Sequence, residues 1–164
     1  MEEAERLANQ LQGRNIKIVF AESCTGGLVS AVMARIPGIS DLLCGSAVAY
    51  RNDTKAKWLG VPEELLLDPG PVSAEVARAM AEAVLRRTPE AAVAASVTGH
   101  LGPNAPEEQD GLIWVGVAHQ AGPGGRITTT AQSHRLPKSE SRPQRQQSAA
   151  RHVLNDTVES LQAR

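Results

Sequence analysis

The chain has 164 residues, a formal net charge of −1 and 41% hydrophobic residues. This length and composition predict one domain, residues 1–164, whose core needs neither disulfides nor metal ions. Only 2% of the residues are aromatic and the charges nearly balance. A nucleic-acid partner is therefore disfavoured, because single-strand binders stack bases on aromatic side chains along a basic groove. The two cysteines, Cys24 and Cys44, are expected to be reduced.

The sequence also disfavours a membrane or secreted protein. Its apolar runs are far shorter than the ~20 residues that span a bilayer, and Met1-Glu2-Glu3 does not begin a basic-then-apolar leader. We therefore expect a cytoplasmic protein with no membrane partner. The sequence leaves the oligomeric state, monomer or homo-oligomer, open.

Helices and strands are predicted to alternate along the first hundred residues, and a strand hairpin precedes the last helix. The predicted helices cover residues 4–12, 28–36, 74–87 and about 141 to the end. The predicted strands cover residues 16–20, 45–50, 91–97, 112–119 and 127–133. This order predicts a three-layer α/β/α fold with a mixed, mostly parallel sheet of about five strands.

Several residues are predicted to begin, end or connect these elements. Gly13 is expected to end the first helix, Asn52 to cap a short helix after the second strand, and Ser73 to cap the helix that follows. Residues 121–125 are rich in glycine and predict the hairpin turn.

A basic stretch lies between residues 126 and 151, with six Lys or Arg residues against one acid, Glu140. Two interpretations stay open. The charges belong to a solvated helix face, or one arginine contacts an anion such as a phosphate.

The turn after the first strand, residues 22–27, is the first candidate site. A serine there, Ser23, would lie near the free N–H groups of a helix N-terminus, which can hold an oxyanion. The alternative is that Ser23 or Thr25 only caps the helix. Cys24 is a weaker candidate nucleophile, because no histidine is positioned beside it.

A serine nucleophile needs a base, and Lys55 follows the second strand at a suitable place. A partly desolvated lysine loses affinity for its proton, although a lysine in this position is also typical of a solvated surface. Lys57 lies roughly 200° around the same helix and cannot share that direction. Tyr50 precedes this helix, where a role at the edge of the core is the alternative.

The end of the strand over 91–97 is the second candidate site, with the sequence Thr98-Gly99-His100-Leu101-Gly102-Pro103-Asn104. Backbone amides in such a turn can face a ligand. His100 either faces that ligand or faces solvent. The sequence offers no clear metal-binding cluster.

Four blocks, in this order, resemble the CinA C-terminal domain family of nicotinamide-nucleotide amidohydrolases. They are Glu22-Ser23-Cys24-Thr25-Gly26-Gly27, then Gly45 with Tyr50, Asn52, Lys55 and Leu59-Gly60-Val61, then Val72-Ser73, and finally Thr98-Gly99 with Gly102-Pro103. The resemblance implies a three-layer α/β/α fold. It also implies hydrolysis of the carboxamide of nicotinamide mononucleotide, which gives nicotinic acid mononucleotide and ammonia without a cofactor or metal.

The resemblance also implies roles for individual residues. Ser23 would be the nucleophile, Lys55 its base and Tyr50 an assistant in the pocket. Backbone contacts to the nucleotide substrate would come from Thr25, Gly26 and Gly27. The opposite wall would be lined by Thr98 and Gly99.

One block departs from the family pattern. Residues 98–111 have fewer glycines and form a shorter loop than the family's usual Thr-Gly-Ile-Ala-Gly-Pro block and the glycine-rich loop after it. Two alternatives therefore stand beside the deamidase: a non-catalytic protein that binds a nucleotide or a partner, and an amidohydrolase of another small carboxamide. No activity of the N-terminal domain found in longer family members is expected.

Overall fold

The computed structural model describes residues 1–122 and 124–164. In this part of the chain five strands form one sheet, in the order β2-β1-β3-β4-β5. The strands are β1 (Ile18–Glu22), β2 (Leu43–Val48), β3 (Val93–Gly99), β4 (Leu112–Gln120) and β5 (Ile127–Arg135). β1 pairs in parallel with β2 and β3, and β4 pairs antiparallel with β3 and β5. All strands except β4 therefore point the same way, and the predicted mixed sheet is confirmed.

Helices cover both faces of the sheet. They are α1 (Glu2–Arg14), α2 (Leu28–Met33), α3 (Asn52–Thr54), α4 (Glu63–Leu67), α5 (Ala74–Arg86) and α6 (Arg142–Gln162). α3 continues directly into a π-helical turn, Lys55–Leu59. α1, α2 and α6 pack on one face, whereas α4, α5 and the π-helical turn pack on the other. This arrangement confirms the three layers.

The central strand β1 contributes to the core on both faces. Ile18 and Phe20 point into the cluster with α1, α2 and α6, and Val19 and Ala21 point into the cluster with α5. All four side chains are at most 4% exposed. Successive residues of a strand face opposite sides, so a continuous apolar run fits a strand with helices on both faces.

The first three strands lie two residues away from their predicted bounds. β1 and β3 begin and end two residues later than predicted, and β2 begins and ends two residues earlier. The ladder starts where Ile18 pairs with both Leu43 and Val93. These pairings join distant parts of the chain, so the apolar run alone could not place the strand ends.

Two helix ends also differ from the prediction. α1 continues past Gly13 to Arg14, and Asn15 ends it with φ 53°, because asparagine tolerates the left-handed conformation that follows many helices. α2 ends at Met33 instead of residue 36.

The cap of α3 is a further correction. Arg51 is the N-cap and Asn52 is the first helical residue. The Arg51 N–H donates to Thr54 Oγ1 at 3.1 Å, so the threonine side chain closes this turn from inside the helix.

Other element boundaries follow the prediction. Ser73 caps α5, and its Oγ accepts the N–H of Val76 at 3.3 Å. α6 begins directly after Ser141. The hairpin turn predicted over 121–125 includes Pro123, which lies outside the described residues.

Among the described helices, none combines the length and the apolar character that crossing a membrane requires.

Candidate active site

A cavity of about 250 Å³ opens at the carboxyl ends of the parallel strands β1, β2 and β3. Ligands of open α/β sheets bind at this edge. The β1–α2 turn (residues 22–27) forms one wall, and the beginning of the 100–111 loop forms the other. The cavity is lined by Ser23, Cys24, Tyr50, Asn52, Lys55, Pro71, Val72, Thr98, Gly99, His100, Leu101, Gly102, Pro103, Asn104, Ala105 and Arg142.

The predicted nucleophile and base are in direct contact in this cavity. Lys55 Nζ lies 2.9 Å from Ser23 Oγ, although the two residues are 32 positions apart. The backbone carbonyl of Tyr50 accepts from Lys55 Nζ at 3.2 Å and from Ser23 Oγ at 3.4 Å. One carbonyl therefore orients both reactive side chains.

Lys55 is buried, which excludes the alternative of a solvated surface lysine. Its exposed fraction is 2%, and no carboxylate of the described residues forms an ion pair with it. Burial lowers the pKa of Lys55 below its ordinary value, because a charged ammonium loses hydration there. A neutral amine beside a serine hydroxyl can accept its proton.

The pairing of β1 with β2 places the lysine. The Ala49 N–H donates to the Glu22 carbonyl at 2.9 Å, so the chain after β2 stays beside the end of β1. The wide π-helical turn then points Lys55 and Leu59 inward, while Lys57 stays exposed. The predicted contrast between the two lysines is therefore observed.

A buried carboxylate holds the β1–α2 turn. Glu22 is 1% exposed, and its oxygens accept five hydrogen bonds of 2.7–3.0 Å. The donors are Thr25 Oγ1, Ser46 Oγ and the N–H groups of Gly27, Val29 and Ser30. The three N–H groups belong to the start of α2, where a negative charge is favourable. Glu22 belongs to the motif over residues 22–27, but no role was predicted for it from the sequence. Its position just before a helix start is the feature that could have predicted this role.

Thr25, Gly26 and Gly27 lie in this turn but not among the residues that line the cavity. The Gly26 N–H donates to the Ser23 carbonyl at 3.0 Å, and the Gly27 N–H donates to Glu22. Both glycines have positive φ angles, 62° and 98°, which a tight turn needs and glycine adopts freely. Their predicted contacts with substrate stay a prediction.

Cys24 lines the cavity next to Ser23 but is unsuited to attack. Burial raises the pKa of its thiol to about 12, and the thiolate is the nucleophilic form. Among the described residues, no residue other than Cys24 itself accepts a hydrogen bond from the backbone N–H of Cys24. It is therefore a candidate donor to an oxyanion.

Thr98 and Gly99 line the cavity at the end of β3, as predicted by position. Thr98 is 1% exposed, and its Oγ1 donates to the Pro71 carbonyl at 2.7 Å. A Cβ atom at Gly99 would lie 2.6 Å from Ile113 Cγ2. Close packing against β4 therefore requires glycine at this position.

The 100–111 loop is braced from α6. Arg145 is 5% exposed, and its guanidinium donates to both Asp110 oxygens at 2.7 and 3.1 Å. This contact lowers the pKa of Asp110. Arg145 also donates to the carbonyls of Leu101 and Pro137. Sequence reasoning missed this pair, because the two residues are 35 positions apart.

Arg142, the first residue of α6, provides a cation at the cavity. Its guanidinium donates to the Tyr50 hydroxyl at 2.7 Å and to the Gly102 carbonyl. The Tyr50 side chain is 52% exposed, so it lies at the rim. Of the six basic residues between 126 and 151, Arg142 lines the cavity, and Arg145 and Arg135 brace the loop.

His100 is half-buried and lines the cavity. Its N–H donates to the Leu112 carbonyl at 2.9 Å, which fixes the backbone at the start of the 100–111 loop. A contact of the His100 imidazole with a ligand stays a prediction.

The fold and site define an α/β protein with a buried serine–lysine pair at the carboxyl ends of its parallel strands. Comparison with known proteins agrees: the CinA C-terminal domain matches residues 1–161. The chain belongs to the CinA family.

Curated relatives carry the same family name. A CinA-like protein of Geobacter metallireducens is 42% identical over 118 residues, which cover 71% of this chain and 28% of that protein. A CinA-like protein of Anaeromyxobacter dehalogenans is 41% identical over 128 residues, which cover 77% of this chain and 30% of that protein. The chain thus spans less than a third of the length of these relatives.

Solved structures share the fold. The competence/damage inducible protein CihA of Agrobacterium tumefaciens is 29% identical, with a TM-score of 0.86 over 98% of this chain and 94% of that chain. A CinA superfamily protein of Klebsiella pneumoniae is 24% identical, with a TM-score of 0.87 over 99% of this chain and 98% of that chain.

Proposed function

We propose that this chain is an amidohydrolase that converts nicotinamide mononucleotide to nicotinic acid mononucleotide and ammonia. The contact that carries the proposal is the 2.9 Å separation of Ser23 Oγ and Lys55 Nζ in a buried, cavity-lining position. Lys55 supplies a base whose pKa is already lowered by burial. Family membership supports the same class of reaction.

Neutral Lys55 begins the reaction by taking the proton of the Ser23 hydroxyl. The Ser23 oxygen forms a bond to the carboxamide carbon, and the carbonyl π electrons move to oxygen. The N–H of Cys24 is the proposed donor to this oxyanion, because an amide next to the nucleophile commonly serves in this role. The Tyr50 carbonyl assists by holding Nζ toward Oγ.

Protonated Lys55 then acts as the acid. It gives its proton to the amide nitrogen, the carbon–nitrogen bond breaks, and ammonia departs. The acyl group remains as an ester on Ser23. A water molecule gives a proton to Lys55 and attacks the ester carbon. The ester bond breaks, the proton returns to Ser23 Oγ, and the carboxylate product departs. One lysine can serve both proton steps, since its pKa lies nearer neutral pH than that of a hydrated lysine.

Arg142 is the proposed contact for the phosphate of the nucleotide. Its guanidinium lies at the cavity and holds the Tyr50 hydroxyl. Arginine binds phosphate with paired, charge-assisted hydrogen bonds. Thr98 and Gly99 line the wall across from Ser23, whereas Thr25, Gly26 and Gly27 support the turn.

The test measures ammonia release by the purified full chain from nicotinamide mononucleotide and from nicotinamide riboside, which lacks the phosphate. We expect release from the nucleotide and a higher KM for the riboside. With Arg142→Ala, the KM for the nucleotide should approach that for the riboside, while kcat changes little. No release from either compound by folded protein would contradict the proposal and leave a non-catalytic binding protein.

A different small carboxamide is the second candidate substrate. The observation that favours it is the cavity wall formed by His100, Leu101 and Asn104, where the sequence departs from the family pattern. A panel of carboxamides that includes glutamine, asparagine and nicotinamide tests this alternative. Faster release from one of these than from the nucleotide would reassign the substrate and keep the serine–lysine chemistry.

A further inference from the structure

Three metal-ligand side chains meet on the face of the sheet covered by α6, outside the residues that line the candidate active-site cavity. His134 lies on β5, and His152 and Asp156 lie on α6. One ligand atom of each residue lies within 4.8 Å of those of the other two. The sequence offered no clear metal cluster, because the strand residue is 18 and 22 positions from its partners.

The cluster is ordered by its own contacts. His134 Nε2 lies 2.7 Å from Asp156 Oδ2, and the rings of His134 and His152 stack with centroids 3.9 Å apart. His152 and Asp156 are four residues apart, so they share one face of α6. The His134 and Asp156 side chains keep 15% and 8% of their area exposed, which leaves an approach from solvent.

The ligand set has the chemistry of a transition-metal site. Two imidazole nitrogens and one carboxylate oxygen are typical ligands of Zn²⁺, Co²⁺ and Ni²⁺. Burial and the neighbouring His134 lower the pKa of His152, and only a neutral imidazole offers its lone pair to a metal. Metal–ligand bonds of about 2 Å place tetrahedral ligand atoms about 3.3 Å apart. His134 Nε2 and Asp156 Oδ2 must therefore separate slightly from 2.7 Å, and side-chain rotation of the half-buried His152 can bring its ring nitrogen to the ion.

We propose that His134, His152 and Asp156 form a binding site for one divalent transition-metal ion, which links the edge strand β5 to α6. The ion takes the place of the hydrogen bond between His134 Nε2 and Asp156 Oδ2. A fourth coordination position stays available to water. The site is distinct from the serine–lysine pair and takes no part in the proposed hydrolysis.

A carboxylate oxygen without a partner lies close enough to act electrostatically on His152. Among the described residues, the buried Oε2 atom of Glu140 has no hydrogen-bond partner, while its Oε1 accepts from Ser148 at 3.1 Å. Ser148 lies one helical turn before His152. A cation beside His152 would compensate this buried carboxylate electrostatically, whereas an uncompensated buried carboxylate is unfavourable.

The test titrates ZnCl2 and CoCl2 into the untagged full chain by isothermal titration calorimetry. We expect one ion per chain, with a Tm rise of about 5 °C or more at a hundredfold excess over Kd. Long-range ¹H–¹⁵N spectra of the imidazoles provide the direct readout, because the chain has only four histidines. Zn²⁺ should shift the signals of His134 and His152 and leave those of His100 and His119 in place.

Matched variants separate this site from adventitious binding. His152→Asn and Asp156→Asn should each weaken binding at least about tenfold, with circular dichroism showing that the variants fold. His100→Ala and Cys44→Ser should retain the wild-type Kd. Absence of stoichiometric binding, or binding that persists in both cluster variants, would overturn the proposal and leave His134–Asp156 as a tertiary contact only.

Discussion

The two walls of the candidate active-site cavity are held in different ways. In the β1–α2 turn, the Glu22 carboxylate bonds mainly to groups within the next eight residues. The 100–111 loop instead depends on distant side chains. Arg145 and Arg142 of α6 reach Asp110 and Gly102 from 35 and 40 positions away, and Arg135 of β5 donates to the carbonyls of Asp110 and Glu108 at 2.8 Å. One wall is therefore held mainly by local bonds to Glu22, with one contact from α6 where Gln146 Nε2 donates to the Thr25 carbonyl at 2.8 Å, and the other is held by side chains of β5 and α6.

This difference separates the two tasks of the site. The local wall carries Ser23, so the geometry of the chemical step depends on a short, tightly bonded segment. In the proposed reaction the loop wall faces the rest of the substrate, so changes in the loop are expected to alter which substrate fits without moving Ser23. The departure of residues 98–111 from the family pattern lies on this second wall.

Removing the nucleophile should give the largest effect. Ser23→Ala should lower kcat for ammonia release by roughly 10⁶-fold, as loss of a catalytic serine does elsewhere. The fold should persist, because the change deletes hydrogen bonds worth about 1 kcal/mol. Activity is measured by ammonia release and folding by urea denaturation. Near-normal turnover by folded Ser23→Ala would exclude Ser23 as the nucleophile and favour a bound water in that role.

Replacing the base should come next. Lys55→Arg should lower kcat by roughly 10⁴-fold, because arginine keeps the charge but cannot give up its proton. Lys55→Met, which is neutral and of similar length, tests the same role if the arginine variant does not fold, and it should lower kcat as well. Lys57→Ala is the control and should leave kcat within about twofold, because Lys57 is exposed.

The pH profile of the wild type sharpens the same prediction. Burial lowers the pKa of Lys55, and only the neutral amine can accept the serine proton. The rate should therefore rise with pH through this lowered pKa and level off above it, and Lys55→Met should lose the rise. A flat wild-type profile with chemistry rate-limiting would argue against Lys55 as the base.

Weakening the local wall should lower stability as well as rate. Glu22→Gln removes the charge and turns an amide toward buried N–H groups, which should lower the free energy of unfolding by about 3 kcal/mol. A shift of Ser23 by about 1 Å should lower kcat by about 100-fold. Urea denaturation and ammonia release measure the two effects. Glu64→Gln, an exposed site on α4, should change stability by less than about 0.5 kcal/mol; equal effects of the two variants would mean that Glu22 does not hold the turn.

The sequence predicted the local wall better than the loop wall for a physical reason. Ser23 and Lys55 each follow a strand of a parallel pair, and such strands end at the same edge of the sheet, so their proximity follows from the order of elements. Pairing between distant strands shifted the strand bounds by two residues. Arg145 with Asp110 and His134 with Asp156 are side-chain contacts across the fold, and no local pattern marks them.

Removing the contacts that hold the loop wall should give the smallest effect on activity, and this effect should be on KM rather than on kcat. Arg145→Met keeps an unbranched side chain in its buried position but removes the hydrogen bonds to Asp110, Leu101 and Pro137. Asp110 can turn to solvent, since its side chain is already 24% exposed, so the fold should survive with a Tm lower by about 3 °C or more. The 100–111 loop then samples more conformations, so KM for nicotinamide mononucleotide should rise about tenfold while kcat stays within about threefold. Arg151→Met, an exposed arginine of the same helix, should change neither value. If Arg145→Met lowers kcat as strongly as Glu22→Gln does, the two walls are coupled, and the loop positions the reacting groups as well as the ligand.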